Sequence, residues 1–82
     1  MEKFTVELLV ANKYGVLNRI TALYAKRGYN IDSLFVHATE NPAVSRMLIT
    51  STGDTHIRTQ MVRQISKLHD VQEVLMMTQL KI

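Results

Sequence analysis

The stretch "NKYGVLNRI" (residues 12–20) is where the chain changes period. Before it, "FTVELLV" (residues 4–10) places Phe4, Val6, Leu8 and Val10 on one face and Thr5, Glu7 and Leu9 on the other. That alternation is the pattern of a half-buried strand. From Gly15 onward Val16, Leu17, Ile20, Leu23 and Tyr24 fall at helical spacing, with Arg19 and Lys26 on the opposite side. A strand-to-helix turn needs only one flexible residue, yet this one holds a carboxamide, a cation, an aromatic ring and a glycine. Two readings fit: a plain turn, or an anion site on the exposed N–H groups of a helix start. In the second, Gly15 lets a group approach the backbone closely. The Asn12 carboxamide then holds an ammonium through its oxygen or adds a donor through its nitrogen. Carboxylate and ammonium together describe a free amino acid.

Working outward, Gly28 after Lys26 and Arg27 stops the helix, with cations in its last turn and glycine at its cap. A second strand is expected over residues 30–39, followed by a turn at Asn41-Pro42 and a third strand in "SRMLITS". Asp54 or Thr55 is the expected cap of a second helix, whose stripe is Ile57, Met61, Ile65 and Leu68. "DVQEVLMMTQLKI" closes the chain as a fourth strand. Leu17, Ile20 and Leu23 match Val62, Ile65 and Leu68 as a faint internal repeat. Two tandem β-α-β halves with right-handed crossovers give a ferredoxin-like βαββαβ fold of class α+β, a four-stranded antiparallel sheet with both helices on one face. Residues 1–82 read as a single domain.

A chain of 82 residues without cysteine has neither disulfides nor a Cys/His metal cluster to supplement a small core, which leaves self-association as the common remedy. No apolar run reaches the ~18 residues of a membrane span and no signal-peptide pattern is present, so the chain reads as soluble, cytoplasmic and without a membrane partner. Ten Lys/Arg against seven Asp/Glu give a mild +3, scattered along the sequence.

Catalysis is hard to assemble from these residues. His37, His56 and His69 fall on a strand, a helix start and a helix end, and no carboxylate is spaced to orient them. Asp32, Glu40, Asp54 and Asp70 occupy separate elements. An acylphosphatase-like enzyme wants arginine in the first loop, where only Lys13 stands. RNA binding on this fold wants stacking rings on the central strands, and only Phe4 is offered. The expectation is no enzyme and no nucleic-acid partner.

The segments "ELLVANKYGVLNRITALYAKRGYNIDSLFV" (residues 7–36), "TENPAVSRMLI" (residues 39–49) and "ISKLHDVQEV" (residues 65–74) resemble the ACT domain of the acetolactate synthase small regulatory subunit. "RGYNIDSL" and "SRM" are specific to that subunit. The resemblance implies a homodimer that binds a branched-chain amino acid, usually valine, at the dimer interface and relays feedback inhibition to a separate catalytic subunit. By position, the family's ligand site falls on Asn12, Gly15, Val16 and Leu17 at the helix start. Asn30 and Ile31 of the partner's second strand complete it. No cofactor or metal is expected on this chain; thiamine diphosphate, flavin and magnesium belong to the catalytic subunit.

Two departures stand out. Proline is common in the family where Tyr14 stands, which implies a less rigid loop. His37 and Ala38 replace a small residue and a proline, so His37 is expected to crowd the pocket or add a titrating group. The alternatives are a free-standing amino-acid-binding ACT module and, less favoured, a small RNA-binding domain.

Overall fold

A computed structural model describes the backbone of residues 2–80 and the side chains of residues 2–75. The elements are β1 (Glu2–Ala11), α1 (Val16–Arg27), β2 (Ser33–Ala38), β3 (Val44–Gly53), α2 (Thr55–Ser66) and β4 (Val71–Leu80). The order and the class match the expected ferredoxin-like arrangement, with the sheet ordered β2-β3-β1-β4 and every pair antiparallel.

The alternation in β1 buries Phe4, Val6, Leu8 and Val10 on the helix side, where Ile20 and Tyr24 of α1 and Met61 and Ile65 of α2 meet them. β3 contributes Met47 and Ile49 to the same core. Fully burying one such side chain is worth about 1.5–3 kcal/mol, which makes this single layer contact the main source of stability. Gly28 takes the left-handed conformation at φ 71°, and the Tyr29 amide donates to Tyr24 O at 2.9 Å, so the expected helix stop is realised.

One boundary moves. The second strand begins at Ser33 rather than residue 30, and Asn30 and Ile31 precede it. Tyr29 is still engaged in the α1 cap, and Asn30 Nδ2 donates to Asp32 Oδ1 at 2.7 Å. Thr52 Oγ1 also donates to Asp32, at 2.6 Å. The Asp32 amide already donates to Thr50 O of β3 at 2.8 Å, so these side-chain bonds compete with ladder pairing just ahead of the strand, at residues 30–31. β2 pairs only with β3, so its other edge is unpaired by any described residue.

Candidate functional site

The loop after β1 is pinned from two sides. The Asn12 amide donates to Ala43 O at 2.8 Å, and Asn12 Nδ2 donates to Pro42 O at 2.9 Å. One of its two N–H donors is therefore committed to the β2–β3 turn, which leaves Oδ1 and the second N–H to offer a ligand. On the other side Arg19 Nε donates to Asp70 Oδ2 at 2.6 Å, tying the first turn of α1 to the start of β4. That bond holds the Asp70 carboxyl below its ordinary value. Burial opposes the shift, and the charges of Arg19, Lys13 and His69 add to it. The pair is separated by 51 positions in sequence, and nothing in the spacing marks it.

Gly15 occupies the N-cap of α1 at φ 81°, and no side chain caps this helix. A side chain at that φ is strained, and a Cβ there would lie 3.0 Å from Arg19 Nη1. The first-turn amides point out of the helix start as those of any helix do, with the positive end of the macrodipole behind them. Beside them lies a concavity of about 70 Å³. Asn12, Lys13, Val16 and Leu17 form one wall, and Val36, Ser45 and Met47 the other. Ligand pockets usually measure about 300–1,000 Å³, so one chain supplies only a fraction of a site here.

Of the six residues expected at the site, three line this concavity, Asn12, Val16 and Leu17, while Gly15 stands at the α1 cap without lining it. Asn30 and Ile31 do not join them within the chain. They follow the far end of α1, whose 12 residues span ~18 Å. The wall formed by Val36, Ser45 and Met47 went unforeseen; the signal for it was the strand alternation, which sends Val36 and Met47 to the helix side as cross-strand partners. His37 points to the opposite face, stacked on Phe35 at 6.1 Å, and does not crowd this concavity. A wider concavity of about 760 Å³, lined by Leu9, Thr39, Asn41 and Arg46 among others, lies away from any helix start. Its cation Arg46 is paired with Glu7 at 3.2 Å.

A family profile described as the AHAS small subunit-like ACT domain matches residues 6–73. The chain is 46% identical over 66 residues to a probable acetolactate synthase small subunit of Archaeoglobus fulgidus, covering 80% of this chain and 42% of that protein. It is 42% identical over 69 residues to the acetolactate synthase isozyme 3 small subunit of Escherichia coli, covering 84% and 42%. A crystal structure of the acetolactate synthase small subunit of Thermotoga maritima superimposes with a TM-score of 0.82 at 35% identity, covering 96% of this chain and 47% of that one. The chain thus spans less than half the length of these relatives. The agreement of profile, sequence and fold over the β1-to-β4 core shows that the chain belongs to the AHAS small subunit-like ACT domain family.

Proposed function

We propose that this chain is the effector-sensing domain of a non-catalytic acetolactate synthase regulatory subunit, and that it binds a branched-chain amino acid between two copies of itself. The observation that carries the reading is the fractional site at the α1 start, which opens beside the unpaired edge of β2. That edge exposes Phe35 at 58% and Val36 at 50%, an apolar strand that a soluble protein normally covers. Antiparallel pairing of two β2 edges about a two-fold axis extends the sheet to eight strands. It also sets the Asn30 end of one chain beside the Asn12 end of the other, which reunites the six residues across the interface.

In that arrangement the effector carboxylate meets the uncapped amides of α1, and its ammonium meets Asn12 Oδ1. Its branched side chain meets Val16, Leu17 and Val36. Binding stabilises the paired state, and through it the complex with the catalytic subunit, because a ligand shared by two chains binds only when both are in place. Calorimetric titration with valine, leucine and isoleucine, alongside light scattering, tests the reading. The expected result is a dimer that binds at least one of the three. A stable monomer at micromolar concentration rules out the shared site. Mixing with the cognate catalytic subunit should raise its activity, and no change on mixing would favour a free-standing module.

A further inference from the structure

The charges that look scattered along the sequence are sorted by the fold. α1, "VLNRITALYAKR", and α2, "THIRTQMVRQIS", contain no Asp or Glu. They carry Arg19, Lys26, Arg27, Arg58 and Arg63, and Lys67 caps the second. Arg19, Lys26, Arg27, Arg63 and Lys67 are exposed. Arg27 Nη2 donates to Gln64 Oε1 at 3.0 Å, so the two helices share one outer surface. Arg19 is answered by Asp70, but among the described residues no carboxylate pairs with Lys26, Arg63 or Lys67. On the far face of the sheet the pattern differs, because Arg46 there is paired with Glu7.

Helix stability does not explain this. The macrodipole accounts for cations in the last turns, where Lys26, Arg27 and Arg63 stand. It equally favours carboxylates at helix starts, yet neither first turn has one and only the N-cap Asp54 stands at such an end. Glu–Lys pairs one turn apart, the ordinary way to stabilise an exposed helix, are absent as well. Lys26, Arg63 and Lys67 therefore stand on the helical layer without a paired carboxylate among the described residues, which is the arrangement that suits an external acidic surface. A single-stranded nucleic acid fits less well, because stacking uses successive rings and the helices expose a single one, the His56 imidazole, while Tyr24 is buried. Neither helix projects to enter a groove, since each lies along the sheet through its buried residues.

We propose that the outer face of the helical layer, centred on Lys26, Arg63 and Lys67, docks an acidic patch of the catalytic subunit. The inference rests on the regulatory reading above and names the surface that reading leaves open. It also keeps docking apart from the effector site, which faces the β2 edge.

The test measures association of the protein with its cognate catalytic subunit by biolayer interferometry from about 0.1 M to about 1 M salt, where the screening length falls from about 10 Å to about 3 Å. The triple variant Lys26→Gln/Arg63→Gln/Lys67→Gln is compared with Lys3→Gln on the opposite face, and thermal melts followed by circular dichroism establish that both fold. At low salt the triple variant should bind at least tenfold more weakly than wild type, Lys3→Gln should not differ, and the gap should close at high salt. A folded triple variant that binds and stimulates as wild type does would overturn the proposal. So would salt-dependent binding of an RNA oligonucleotide that the triple variant loses while its association with the catalytic subunit stays intact. Failure of the wild type itself to associate would sink the regulatory reading and this inference together, a result distinct from failure confined to the variant comparison.

Discussion

The two helices occupy equivalent places in the element order, each just after a strand, and they start differently. At α2 the Asp54 side chain accepts from the Ile57 amide at 2.9 Å, an N-cap that satisfies one helix-start donor from within the chain. At α1 the N-cap is Gly15 in the left-handed region, with no side-chain cap. The first start is closed by the protein. The second has no such side-chain acceptor, and it is the one beside the concavity and the unpaired β2 edge. An uncapped start costs stability that a capped one keeps, so its position next to Asn12 and Val36 is what gives the contrast a functional sense.

The largest expected effect is on binding. Gly15→Asp places a carboxylate where the effector's own should sit, and should weaken amino-acid affinity at least a hundredfold, about 2.7 kcal/mol at ~1.4 kcal/mol per decade. Asp54→Ala, at the closed start, should leave that affinity unchanged by calorimetry. Equal losses in both variants would erase the functional difference between the starts.

Next come the glycines that flank the two starts, read by chemical denaturation. A Cβ on Gly53 would lie 2.9 Å from Ile57 Cγ2 and 3.1 Å from Ile57 Cβ. Ile57 is β-branched and partly buried against the core, so it yields little, and Gly53→Ala should cost about 1–3 kcal/mol. Gly15→Ala meets the Arg19 guanidinium that Asp70 holds and should cost about 1–2 kcal/mol, chiefly from its positive φ. Asp54→Ala should cost about 1 kcal/mol through loss of its cap, with Asp54→Asn close to neutral.

The last effect is one of shape. The Asp70 pKa is lowered in the folded state, so its ion pair with Arg19 stabilises the protein above the unfolded value of 3.8 and is lost as pH falls through the lower folded value. Asp70→Asn should be less stable than wild type at neutral pH, and the two should converge on acidification below about pH 4. Parallel acid-unfolding curves would show that the pair contributes nothing to holding the α1 start.

Local rules sufficed for much of this. The alternation of Phe4, Val6, Leu8 and Val10 and the stripe of Ile20, Tyr24, Met61 and Ile65 each place a hydrophobic face whose period leaves one choice of element. Gly28 and Asp54 announce helix ends because only particular residues satisfy those backbone groups cheaply. The turn "NKYG" declared a glycine start for the same reason, and the element order then admits few topologies. None of this reaches across the sheet. The Arg19–Asp70 pair, the Asn12 bond to Pro42 and the late start of β2 depend on which distant segments the fold sets side by side. Contacts between residues 30 or 51 positions apart leave no period to read. The same holds for the candidate site: its six residues were expected from the chain, but that they divide between opposite ends of α1 is a property of the packed layers alone.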